Sequence, residues 1–165
     1  MTDAPRTDPS DSPLNGFLGY ALKRALSVVQ SDLSITLTEF GLRATSFSAL
    51  LVVVDRPGIT QTDLADALAI ERSNLVQIID ELCNSQRIAR TPVKGDRRRH
   101  ALMPTAQGLV IAGQAKAAVQ AHEARIFAVL SAGERAELAL LLSKLRNAGA
   151  LRSIADQTSA SQSST

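Results

Sequence analysis

Cysteine is almost missing from this chain of 165 residues: Cys83 stands alone, so no internal disulfide can form and no cysteine-based zinc site can be built. Such usage suits a reducing compartment. Histidine is nearly as scarce, and neither His100 nor His122 sits in a Ser, Cys or carboxylate pattern that would pair a nucleophile with its base. No glycine-rich phosphate loop is present either. These absences argue against an enzyme, and no cofactor is expected. His122-Glu123 falls in a helical stretch and reads as a solvent-facing pair, so no metal site is expected there. No apolar run approaches the ~18 residues of a membrane span, and the opening MTDAPRTDPSDSP lacks a basic-then-apolar signal pattern. A cytoplasmic chain without membrane contact is the expectation. Aromatics make up only 3% of the residues, with no Trp, while Ala and Leu dominate. That bias favours helix packing over an aromatic-rich β-sandwich, and the fold class reads as mainly α.

What is present is a 45% hydrophobic content, enough for one folded domain with helical extensions. The overall charge is +2, unevenly spread. Between Arg87 and His100 stand Arg87, Arg90, Lys94, Arg97, Arg98 and Arg99 against Asp96 alone, a local +5 that leaves −3 for the rest of the chain. Focused cationic charge on an otherwise acidic body is what a phosphate-binding edge requires.

Residues 1–13 carry three Pro without an apolar period and 154–165 are rich in Ser, Thr and Gln, so both ends are expected to be disordered tails. Phe17, Leu18, Leu22, Ala25, Leu26, Val29 and Leu33 recur at helical spacing and predict one long helix from about Asn15 to Leu37. Gly41 ends it. Thr45 or Ser46 is expected to cap a second helix, with Phe47, Leu50, Leu51 and Val54 inward and Pro57-Gly58 as its stop. Thr60 and Asp63 form a capping-box pattern opening a third, short helix whose inward face is Leu64, Ala65 and Leu68. A fourth runs from about Arg72 to Asn84, burying Leu75, Ile78, Ile79 and Leu82 while Ser73, Asn74, Gln77 and Glu81 point outward. Strands Ile88–Val93 and His100–Met103 flank a basic tip at Lys94-Gly95-Asp96, with Pro92 confined to an edge strand. Thr105 then caps an Ala-rich helix through Leu109, Ala112, Lys116, Val119, Glu123, Ile126 and Leu130. Ser131 and Glu134 box the start of a last, leucine-rich helix.

The informative constellation is a short helix, a tight turn, an outward polar helix and a basic hairpin. Such a helix pair lays its second helix in the major groove, where Asn and Gln bond to adenine and Ser to several base edges. Ser73, Asn74 and Gln77 occupy those positions, Arg72 suits a phosphate or guanine, and the Lys94–Arg99 tip suits phosphates or the minor groove. A competing class is a protein-interaction module. It would show Tyr, Trp or Met anchors, which this chain hardly has. Cys83 lies on the apolar side of its helix and reads as a small hydrophobe, although Arg87 and Arg90 nearby would tend to lower its pKa.

Leu64-Ala65 through Leu68, Arg72-Ser73-Asn74-Leu75, Asp80-Glu81-Leu82, and above all Asp96-Arg97-Arg98-Arg99-His100-Ala101-Leu102 running to Thr105-Ala106-Gln107-Gly108, resemble the multiple antibiotic resistance regulator (MarR) family. The most specific element is the Asp-x-Arg signature, Asp96 and Arg98; the resemblance spans about Asn15 to Arg152. It implies a winged helix-turn-helix over 41–104 with a small β-hairpin wing, and a helical dimerisation region formed by 14–40 and 105–153. The function it implies is a sequence-specific transcriptional regulator: a homodimeric repressor of an inverted repeat in double-stranded DNA. The contacts expected are Thr60, Gln61, Thr62, Arg72, Ser73, Asn74, Gln77, Lys94, Arg97, Arg98 and Arg99, with Asp96 orienting a neighbouring arginine. Family members respond to small aromatic or phenolic effectors, and Phe17, Tyr20, Phe40 and Phe47 are the expected walls of that cleft. The oxidation-sensing cysteine of one branch and the His and carboxylate cluster of the metal-sensing branch are missing. Three positions depart from the family pattern. Pro104 replaces a Leu, so the second wing strand is expected to end early. Gln86 replaces a Gly, so the turn there has to use another residue in a left-handed or open conformation. Glu71 replaces a Ser or similar cap.

Overall fold

The computed structural model describes residues 13–93 and 96–162. By internal contacts the chain divides into two units, 1–123 and 124–165.

In the first unit, Pro13–Gly16 forms a 3-10 turn and helix α1 spans Leu18–Thr38, starting three residues later than the periodicity suggests. Leu37 is buried and Leu33 packs beside it, whereas the earlier Leu18, Leu22 and Leu26 of the same period are exposed. Gly41 ends the helix in the left-handed region at φ +59°, and the Leu42 amide donates to the Leu37 carbonyl at 3.0 Å. Helix α2, Ala44–Asp55, is capped neither by Thr45 nor by Ser46. Arg43 holds the N-cap position, and the buried Ser46 hydroxyl accepts from the Arg43 amide at 2.9 Å from inside the first turn. Because α2 is apolar almost all round, its spacing could not fix the inward face. Phe47, Ala49, Leu50 and Val53 are buried, and Leu51 and Val54 are only half-buried.

Strand β1, Ile59–Thr60, leads directly into α3, Gln61–Leu68, which α4, Arg72–Asn84, follows. Between the helices Ala69 adopts φ +52°, and the Ile70 amide returns to the Ala65 carbonyl. After α4, Gln86 itself takes φ +55° where a glycine would be easiest, and the Arg87 amide returns to the Leu82 carbonyl at 2.9 Å. Strands β2, Ile88–Val93, and β3, Asp96–Pro104, complete an antiparallel sheet of order β1-β3-β2. Pro92 lies on the β2 edge as the ladder requires. The second wing strand does not end early: Pro104 belongs to β3 opposite Ile88, beyond the reach of β1, so its missing N–H costs no inner-ladder bond. Nor does that strand wait for His100. It begins at Asp96, and a register shift at Pro92/Val93 takes up the extra residues, so Arg97–Arg99 are strand rather than tip.

Helix α5, Ala106–Ile126, stops short of the expected Leu130 and buries Gly108, Ala112, Ala115 and His122 rather than a stripe through Leu109 and Lys116. Small side chains let it approach closely. A Cβ on Gly108 would lie 1.8 Å from the Arg87 carbonyl oxygen, so backbone meets backbone at that point. Thr105 stitches the same junction: its hydroxyl donates to the Gln86 carbonyl at 2.6 Å and accepts from the Gly108 amide at 2.9 Å. One apolar cluster includes Leu37 of α1, Leu50 and Val53 of α2, Leu64, Leu75, Ile79 and Leu82 of the helix pair, Leu102 of the sheet, and Ala112 and Ala115 of α5.

In the second unit a 3-10 turn, Phe127–Val129, precedes α6, Ala132–Gln162. The Ser131 amide and hydroxyl both donate to Glu134 Oε2, at 2.8 and 2.7 Å, while the Glu134 amide returns to the hydroxyl at 3.3 Å. That is the expected capping box. The Ser131 hydroxyl, and after it the amide, hold the Glu134 carboxyl below the usual range. Leu138, Leu140, Leu141, Leu142 and Leu145 remain exposed on α6.

Candidate nucleic-acid interface

Helix α4 presents two different faces. Leu75, Ile78, Ile79 and Leu82 are buried beneath it, while Arg72, Ser73, Asn74 and Gln77 are exposed. Two ion pairs steady it from either side: Arg43 at the start of α2 with Glu81, and Arg90 on β2 with Asp80 at 2.6 Å. Glu81 is half-buried, short of the outward position the periodicity suggests. At the start of α3, the Thr60 hydroxyl accepts from the Asp63 amide at 3.2 Å and donates to its carboxylate at 2.6 Å. Thr60 is therefore engaged in starting the helix. Gln61 beside it is half-buried and Thr62 is exposed.

Of the expected wing contacts, Asp96, Arg97, Arg98 and Arg99 lie on strand β3, and Lys94 lies outside the described residues. The +5 segment is not uniformly outward. The Arg87 guanidinium donates to the carbonyls of Phe40 at 2.6 Å and Gly41 at 2.9 Å, satisfying the chain end of α1. Arg90 is committed to Asp80. These pairings were invisible in a charge count because they link residues 10 to 47 positions apart.

The four aromatic residues expected to wall an effector cleft do not form one cleft within a chain. Phe17 is 64% exposed at the head of α1, with Tyr20 one turn on; Phe40 follows the other end of that helix, and Phe47 belongs to the core of α2. A helix of 21 residues separates the pairs by about 30 Å. A different recess, about 470 Å³, opens between α2 and α5. Leu51, Val54, Leu109 and Ala112 line it, with Arg56 and Lys116 among its polar residues. Helical spacing singles out these four side chains, but it could not show that they face an open recess rather than close-packed neighbours.

Cys83 is half-buried at the edge of the core. Burial pushes its thiol up and outweighs the opposing pull of Arg90, so the expectation of a lowered pKa is corrected. His122 is not solvent-facing either. It is 1% exposed, with Nδ1 2.6 Å from Asp32 Oδ2 on α1. Among the described residues no group of His, Cys, Asp and Glu could hold a metal ion, and no helix is long and apolar enough to cross a membrane.

A polar helix standing on a shorter one, backed by a three-stranded sheet whose long hairpin projects beside it, defines a winged helix-turn-helix, a DNA-binding class. Comparison with known proteins narrows the class. A family model described as MarR family matches residues 40–99. A protein of Thauera aromatica named for transcriptional regulation of the hcr operon is 33% identical over 132 residues, covering 79% of each chain. The solved repressor CouR, bound to a 23-mer DNA duplex, is 36% identical with a TM-score of 0.77, covering 81% of this chain and 94% of that one. The Mycobacterium tuberculosis MarR family protein Rv2887, solved with salicylic acid, is 28% identical with a TM-score of 0.64, covering 82% and 98%. The chain belongs to the MarR family. It is a DNA-binding transcriptional regulator and not an enzyme.

Proposed function

We propose that this protein is a cytoplasmic homodimeric repressor that reads an inverted repeat with α4 of each protomer and holds the flanking backbone with its wing. The observation that carries the reading is the exposed row Arg72, Ser73, Asn74 and Gln77 standing on a fully apolar underside. Asn74 and Gln77 are the base readers, Arg72 serves a phosphate or a guanine, and Thr62 with Gln61 lies beside them. Lys94, Arg97, Arg98 and Arg99 supply the wing contacts, with Asp96 orienting an arginine. Relatives support release by a small molecule: CouR is also solved bound to p-coumaroyl-CoA and Rv2887 with salicylic acid. The α2–α5 recess is largely apolar, and although the Asp55 carboxylate pairs with Arg56 at 3.6 Å on its rim, Lys116 leaves it a cation for an aromatic acid.

Fluorescence anisotropy against the DNA flanking the protein's own gene, titrated with salt and with unrelated competitor, tests the reading. Wild type should bind in the presence of competitor at one dimer per site, with half-sites roughly 10 base pairs apart. Arg98→Ala should weaken binding to all sequences and reduce the salt slope by about one. Asn74→Ala should instead relax sequence preference, by about 1–3 kcal/mol at one position. Unchanged affinity and slope in Arg98→Ala would remove the wing from the interface. Salicylate added to the complex should release DNA.

A further inference from the structure

Val76 is the residue of α4 that the polar reading leaves unexplained. It is 45% exposed, one turn after Arg72 and three residues after Ser73, and so shares their side of the helix. A lone exposed valine on a helix ordinarily calls for no explanation. This one borders a recess of about 100 Å³, lined also by Leu75, Gln61, Thr62 and Arg72. Leu75 is 1% exposed and gives the recess an apolar floor; the others are polar residues from the starts of α3 and α4. An apolar notch is thus built into a polar surface, at the end of the helix pair that approaches base edges.

The major groove offers a matching group. Hydrogen-bond donors and acceptors occupy most of each base edge, and the 5-methyl of thymine is the apolar feature that distinguishes it. The geometry points to Val76 and the Leu75 recess as a thymine-methyl reader, a specificity determinant additional to the hydrogen-bonding residues. This rests on the operator-reading role proposed for α4. The notch has room for a methyl group, and burying one there removes it from water together with the exposed face of Val76. Alanine at 76 would keep the helix and lose the wall.

The test separates the inference from the reading beneath it. Full-length protein is used to select a binding site from random duplex DNA, and each thymine of the selected site is then replaced in turn by deoxyuridine. That change deletes only the 5-methyl and preserves pairing. At one thymine in each half-site, wild type should lose about fourfold in affinity per half-site, the worth of one buried methyl-sized group. Val76→Ala should bind the thymine site more weakly and show no difference between thymine and uracil at that position. Its melting temperature should match wild type, because the side chain lies outside the core. If a site is selected but the wild-type uracil scan is flat, the inference is overturned and the DNA reading stands. Persistent discrimination by Val76→Ala would likewise overturn it. If no sequence is enriched, the DNA reading itself fails and the inference with it.

Discussion

Ala69 and Gln86 hold φ of +52° and +55° at the ends of α3 and α4, a region where a Cβ is strained by about 1–2 kcal/mol. Gln86 is exposed and contributes its carbonyl, not its side chain, to the Thr105 hydroxyl. Gln86→Gly is therefore expected to raise the stability by about 1 kcal/mol in urea denaturation, the relief of strain being partly offset by a looser unfolded chain. Cys83 makes the opposite kind of statement. Its thiol is held neutral by burial, so alkylation by iodoacetamide should be slow at neutral pH and accelerate only above the ordinary thiol range near 9.0. The linkage has the same sign: the raised pKa costs the native state nothing below that range, and stability is lost as pH rises through it. An alkylation rate that levels off near pH 7 would contradict this. Caps were the most legible residues in the sequence, because Thr60 with Asp63 and Ser131 with Glu134 close over three positions. Arg87 and His122 were not, since their partners stand 46 to 90 positions away.

Among the elements, α4 and β2 have the bounds that periodicity and turn residues indicate: α4 is amphipathic over its whole length, and β2 runs up to the Lys94-Gly95 turn signal. Strand β1 had no such signal. Two residues cannot establish an alternation, and Ile59 and Thr60 are strand only because Leu102 and Ala101 lie opposite. The pairing of α1 with α5 is the other feature that spacing could not provide. With its proton on Nδ1, His122 donates to Asp32, while its buried Nε2 has no partner among the described residues. Asp32 is 38% exposed, so the two ends of the contact are not equivalent. Asp32→Ala strands a buried donor and should cost about 1–3 kcal/mol, whereas His122→Leu leaves a carboxylate that water can reach and should cost less. Chemical denaturation of both variants checks the order. Equal losses would mean that packing, not the polar contact, sets the energy.

On the scale of the whole molecule, the exposed apolar residues are concentrated on the helices outside the winged elements. Leu18, Leu22, Leu26, Val28 and Ile35 lie on α1, and Leu138, Leu141 and Leu145 make a stripe on α6. A monomer would keep both sets in water, which is the physical case for the proposed dimer. Leu141→Glu with Leu145→Glu should convert the protein to monomers in sedimentation at micromolar concentration, each change forfeiting roughly 1–2 kcal/mol of burial per protomer. A dimer of undiminished strength would place the self-contact elsewhere.

The junction at Gly108 bears on how such a protein moves. Where α5 rests on the Arg87 carbonyl without an intervening side chain, and Thr105 ties its first turn to the same loop, sliding is blocked and the contact behaves as a pivot. A swing of 10° about that point carries the tip of a helix about 30 Å long through ~5 Å. Motion of α5 along its own axis is thereby transmitted to the loop that ends α4, while tilting about the pivot is not.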